Sequence, residues 1–224
     1  MFGQKNWLTI LVSRGKLDIF GEGDNVVQTL PLPATIIDNL EILNKDALYT
    51  LITDWTKQKA YQDTEITWIL SPDLCFTHTL TSTDQDKIDS ETLQFLDTVP
   101  FEEIVSRTYN TIPGRLLVAT NQSLINALIH GFSLHGYSTQ SVIPAQVIGI
   151  ESELTPDLAR STRKRAAELK KESLIIPTLS ASKPTQPTLV TDTSTSKPKS
   201  SLPLLLSVFF ILVAILGIVL YLNQ

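Results

Sequence analysis

The chain has 224 residues, 42% of them hydrophobic and 18% charged, with a formal net charge of −5 at pH 7. A mildly acidic chain excludes a nucleic-acid binder built on a cationic face. The single cysteine, Cys75, excludes an internal disulfide and fits a reducing compartment.

Residues 7–12 and 16–20 are short apolar runs around Ser13-Arg14-Gly15, a hairpin signal with glycine in the turn. The first run is too short for a signal peptide, and Arg14 and Lys16 follow it where small residues would stand. GEGDN (21–25) is a second turn and residues 26–30 a third strand, so the chain opens as a meander. Leu32-Pro33 ends the pairing, because proline cannot donate to a ladder. Asn44 caps a helix predicted through residue 59, with Leu48, Leu51, Ile52 and Trp55 at i, i+3, i+4 and i+7. Residues 66–70 read as a strand, Ser71-Pro72-Asp73 turns it, and 74–80 returns as a strand with Leu74, Phe76, His78 and Leu80 on one face. A helix follows over 86–96. Thr98-Val99-Pro100-Phe101 breaks it, and 104–110 reads as strand.

Residues 115–120 form an apolar strand. Asn121 caps the next helix, whose Leu124, Ile125, Leu128 and Phe132 make one stripe, and Gly136 stops it. Residues 137–143 form a strand. Strand, helix, strand implies a parallel pair with a right-handed crossover. The helix predicted over 156–171 is polar almost all round. Its Arg163-Lys164-Arg165 and Lys170-Lys171 read as a solvated face or as a surface that meets anionic lipid; the solvated face is the simpler account. Residues 177–200 are rich in Pro, Ser and Thr and read as a linker. Residues 204–222 carry no charge. At about 1.5 Å per residue they match the roughly 30 Å of a bilayer core, and inside lipid the backbone must be helical. Lys197 and Lys199 precede this run and nothing charged follows it, so the preceding residues are expected in the cytoplasm.

Residues that could carry chemistry have structural readings. Cys75 has no His or Asn partner pattern and reads as a small structural residue. His78, His130 and His135 lack metal-ligand spacing. Asp84, Asp86 and Asp89 lack the glycine and closing Glu of a calcium loop and suit a helix N-terminus. Gly21 and Gly23 are not followed by GK[ST], so they mark a turn. No catalytic, cofactor or metal residues, and no small-molecule substrate, are expected.

Four stretches in order carry a resemblance: LPLPATIIDNLEILNKDALYTLI (30–52), TEITWILSPDLCFTHTL (64–80), LQFLDTVPFEEIVSRTY (93–109) and RLLVATNQSLINALIHGFSLHGYSTQSVIPAQVIGI (115–150). Over residues 7–150 the chain resembles the PilM and GspL family of actin-like assembly proteins, which serve type IV pili and type II secretion. The resemblance implies an α/β, actin-like (ribonuclease H-like) first lobe over 1–150. Within it, 7–36 and 110–150 form the first subdomain and 37–109 an inserted small α+β subdomain. After the lobe come the polar helix (151–176), the linker (177–200) and a single transmembrane helix (201–224). It also implies a non-catalytic scaffold in the inner membrane, with its N-terminal domain in the cytoplasm. Its partner would be the cytoplasmic tail of a PilN-like membrane protein, or an assembly ATPase. The tail would lie in a groove near Leu32, Pro33, Val99, Pro100, Phe101, Glu102 and Glu103.

The sequence departs from the family's ATP-binding pattern. The first turn, Val12-Ser13-Arg14-Gly15-Lys16, has no Asp-x-Gly, and no counterpart of the second lobe follows Ile150. The expectation is therefore a first lobe alone, fixed to the membrane. Two alternatives stand beside it: an actin-like ATPase completed by a second chain, and a tail-anchored interaction domain unrelated to pili.

Overall fold

The computed structural model describes residues 6–59, 63–111, 114–150 and 153–175. The expected linker and apolar run, with Lys197 and Lys199, lie outside the described residues. Among the described residues no helix is long and apolar enough to cross a membrane.

In chain order the elements are β1 (Trp7–Ser13), β2 (Lys16–Gly21), β3 (Gln28–Pro31), β4 (Ile37–Asp38), β5 (Glu41–Ile42), α1 (Lys45–Lys57), β6 (Glu65–Leu70), β7 (Phe76–Leu80), α2 (Gln85–Leu96), β8 (Ile104–Asn110), β9 (Arg115–Asn121), α3 (Gln122–Ser133), β10 (Ser138–Pro144), α4 (Pro156–Lys164) and α5 (Ala166–Lys171). The meander is as expected: β1 pairs antiparallel with β2, and β2 with β3. Pro31 is tolerated inside β3 because β3 is the edge of its sheet. The strand begins at Gln28 rather than at residue 26, and Val26 is exposed.

The main sheet has the order β10-β6-β1-β2-β3, with β6 parallel to both β1 and β10. Both of its faces are covered, which is why its central strands read as continuous apolar runs. On one face Leu8, Ile10, Val12, Leu17, Ile19, Trp68 and Val142 meet α1 and α3 through Leu48, Ile52, Leu124, Leu128 and Phe132. On the other, Leu11, Phe20 and Ile69 meet Ala145, Ile150, Leu154 and Ala159. The second sheet has the order β7-β9-β8. Its Leu80 and Leu117 pack on Ile88 of α2, while Val118 and Tyr109 join the main core.

Three expectations need correction. Residues 66–70 and 74–80 do not form a returning pair: β6 already has a neighbour on each edge, and a 3₁₀ turn over Pro72–Leu74 sends β7 into the second sheet. The strands flanking α3 are not parallel partners either, since β9 is enclosed between β7 and β8 and β10 pairs with β6. Finally, the helix over 156–171 is not polar all round. It breaks at Arg165 into α4 and α5 and buries a stripe of Ala159, Thr162, Ala166 and Leu169. Two small residues and a threonine in that stripe hid it from a reading that sought large apolar side chains.

Beyond α5 the chain covers the β10 edge. Leu174 N–H donates to the Val142 carbonyl at 2.8 Å, and Val142 N–H donates to the Ser173 hydroxyl at 2.9 Å. The edge of a sheet is a template for unwanted pairing, and this segment occupies it.

Candidate functional site

The helix that builds the site starts where its sequence says. Asn121 Oδ1 accepts from Leu124 N–H at 3.2 Å, capping α3, while its Nδ2 donates to the Leu40 carbonyl at 2.9 Å. That second bond holds the β4–β5 turn, in which Asn39 (φ 48°) and Leu40 (φ 66°) are left-handed. A buried leucine there is unfavourable on its own, and the bond to Asn121 with its 3% exposure fixes it. Asn44 Oδ1 caps α1 by accepting from Ala47 N–H at 3.0 Å.

The two helices lie against each other. Tyr49 meets His130 edge-on with ring centroids 5.6 Å apart, and the Thr53 hydroxyl lies 3.0 Å from His135 Nε2. Gly131 permits the approach: a Cβ there would stand 2.6 Å from Ile52 Cδ1 and 3.2 Å from Tyr49 Cδ1. N-terminal to that contact the helices leave a groove of about 630 Å³. Lys45 and Tyr49 of α1 form one wall, with Ile42 before them. Ser123, Asn126, Ala127 and His130 of α3 form the other, and Glu103 stands at one end. Glu103 is held at both its ends: its carbonyl accepts from Gln122 N–H at 2.9 Å, and its Oε2 from the Ser123 hydroxyl at 2.6 Å. Lys45 Nζ lies over the Tyr49 ring at 5.8 Å. The Tyr49 hydroxyl oxygen is buried and has no hydrogen-bond partner among the described residues.

Of the expected groove residues, only Glu103 lines this space. Phe101 packs edge-on against Phe76 at 5.7 Å and rests on the main core. Leu32 is buried in that same core, and its N–H donates to Gly15 O at 2.8 Å. Val99 is buried, whereas Pro33, Pro100 and Glu102 are exposed. The sequence reading missed Lys45, Tyr49, Asn126 and His130. The signal was present as polar residues at i, i+3 and i+7 of α3 (123, 126, 130), opposite the apolar stripe, together with the mid-helix Gly131.

The other candidates have structural partners. Burial pushes the Cys75 thiol up to about 12, with Asp73 adding to the effect, so thiolate is scarce at neutral pH. His78 stacks on Phe95 at 5.6 Å beside a second cavity of about 380 Å³. Asp84 caps α2 by accepting from Asp86 N–H at 3.2 Å. Gly23 is left-handed in a turn where Gly21 N–H donates to Asp24 at 2.8 Å. Among the described residues no three His, Cys, Asp or Glu side chains gather as a metal site. The first hairpin does receive a carboxylate, from elsewhere in the chain: Arg14 N–H donates to Asp73 Oδ2 at 3.1 Å, and the Ser71 hydroxyl donates to Asp73 Oδ1.

No protein-family model and no curated protein matches the chain. It is similar to solved structures. One is the PilM-PilN type IV pilus biogenesis complex, at 12% identity over 62% of this chain and 47% of that one, with a TM-score of 0.45. A second is the cytoplasmic domain of EpsL, an inner membrane component of the type II secretion system of Vibrio cholerae. It is 10% identical over 62% of this chain and 57% of that one, at a TM-score of 0.38. A third is a Bacteroides thetaiotaomicron protein with an actin-like ATPase fold and unknown function, at 11% identity, 64% and 53% coverage and a TM-score of 0.36. The chain spans about half the length of these chains.

Proposed function

We propose that this chain is a non-catalytic, membrane-anchored cytoplasmic scaffold of a type IV pilus or type II secretion platform. In this reading it holds the cytoplasmic tail of a PilN-like membrane protein between α1 and α3. The observation that carries the reading is the groove itself. Its α3 wall advances from Ser123 to His130, about 10 Å at 1.5 Å per residue. That accommodates roughly three residues of extended peptide at 3.3 Å each. Glu103 in the lining suits a basic side chain. Asn126 offers an amide to the peptide backbone. The ordered resemblance of residues 7–150 to the PilM and GspL family supplies the class of partner. The uncharged run 204–222 supplies the anchor.

A partner in the same membrane would be met at high effective concentration, so modest intrinsic affinity suffices. The test is Glu103→Lys combined with Asn126→Ala, both at positions outside the core. Capture of the partner's tail should fall at least tenfold with the melting transition unchanged; undiminished capture would remove the groove from the account.

One observation favours a second reading, an ATPase completed by another chain: Asp73 places a carboxylate at the first hairpin. Both of its oxygens already accept protein hydrogen bonds, which weighs toward the scaffold.

A further inference from the structure

We infer that the outer face of α4 and α5 is a docking surface for the anionic lipid headgroups of the membrane that holds the chain; this rests on the anchored reading above. Residues 156–172 carry six basic and three acidic side chains, net +3 in a chain of −5. That segment is net positive while the rest of the chain sums to −8. The helices turn Ala159, Thr162, Ala166 and Leu169 onto the sheet, which leaves the opposite face outward.

Half of the cations are already engaged. Arg160 pairs with Asp157 at 3.2 Å and lies over the Phe20 ring. Arg163 lies 3.8 Å from Glu65, and Arg165 pairs with Glu168 at 3.1 Å. Lys164, Lys170 and Lys171 are exposed and have no carboxylate partner among the described residues. Lys164 ends α4, Lys170 and Lys171 end α5, and the exposed Ala167 stands between them in sequence. Three exposed lysines on a folded scaffold suit a diffuse anionic plane better than a single carboxylate, and the attraction falls off within a Debye length.

Chain length supports the same occupant. The described residues end at Ile175, and 28 residues separate it from Leu204. Even fully extended, these 28 residues span at most about 100 Å, so a chain held in the membrane stays within reach of its surface. They carry Lys183, Lys197 and Lys199 against Asp192 alone, so the approach to the apolar run continues the positive charge.

The test uses the full chain with Cys75→Ala, spin-labelled at Ala167→Cys, in nanodiscs. One set holds phosphatidylcholine alone and another about a third phosphatidylglycerol; both contain a nickel-chelating lipid as surface relaxant. Labels at Leu93→Cys and Ala214→Cys report a distant face and the anchor. The expected result is strong relaxation of the Ala167 label in anionic discs only. Raising the salt, or Lys164→Glu with Lys170→Glu and Lys171→Glu, should abolish it, while the Leu93 label stays unaffected throughout. Equal relaxation in both lipids, with Ala214 inside the bilayer, overturns the docking surface alone. A water-exposed Ala214 label overturns the anchor and the docking surface with it. Immobilisation of the Ala167 label by polyglutamate but not by anionic lipid would assign the face to an acidic protein and likewise overturn the proposal.

Discussion

Arg107 donates to the main-chain carbonyl of Ser173 at 2.6 Å, and its second nitrogen donates to that of Lys171 at 2.8 Å. One side chain of the second sheet thus clamps the segment that covers the edge of the first. Arg107→Ala removes two charge-assisted bonds and leaves two carbonyls to water. The expected cost is about 1–3 kcal/mol, read from the urea midpoint at unchanged slope. Hydrogen exchange at Leu174 should accelerate as well, because its bond to Val142 loses its support. Unchanged exchange there would mean that the clamp is incidental.

The clamp belongs to a segment that is packed into the fold. Leu154, Ala159, Leu169 and Leu174 are all buried. A chain cut after Ile175 should keep a single cooperative thermal transition. A chain cut after Ile150 uncovers Leu11, Phe20 and Ile69 and should lose cooperativity or aggregate. If both melt alike, residues 153–175 contribute nothing to the core.

The α1–α3 contact turns on Gly131. A methyl group there would meet Ile52 Cδ1 at 2.6 Å, which overrides the roughly 1 kcal/mol that alanine gains over glycine in a helix. Gly131→Ala should destabilise by about 1–3 kcal/mol. Ile52→Val removes the offending atom and should cost about 1 kcal/mol alone. Made together, the two should cost less than their sum by at least about 0.5 kcal/mol. Strict additivity would refute the close approach.

Alkaline pH should weaken the fold. Burial raises the Cys75 thiol from an ordinary value of 9.0 to about 12, and raises the Tyr109 phenol as well. Between these limits the unfolded chain releases the thiol proton and the folded chain keeps it, so stability falls as pH rises. The loss should begin near pH 9 and continue toward 12, and Cys75→Ala should flatten the Cys75 part of it. A flat profile to pH 11 in the parent protein would contradict the burial.

The local structure was largely legible in the sequence. Asn44 and Asn121 cap their helices, Gly136 turns left-handed after α3, and residues 104–110 form a strand. Those features depend on neighbours in sequence. What escaped depends on free edges and faces. Nothing in residues 66–70 announces that β1 and β10 will occupy both sides of β6, or that β7 must therefore pair elsewhere. The groove arises from a helix contact at Gly131 between elements far apart in sequence, and of the residues expected to hold a partner only Glu103 lines it.

The most direct measurement is calorimetric titration of the chain, at matched concentrations, with a synthetic PilN-like cytoplasmic tail and separately with Mg-ATP. The expected result is saturable binding of the tail with a Kd in the micromolar range, lost in the Glu103→Lys, Asn126→Ala protein, and no saturable heat from Mg-ATP. Micromolar Mg-ATP affinity with no heat from the tail would contradict the scaffold reading.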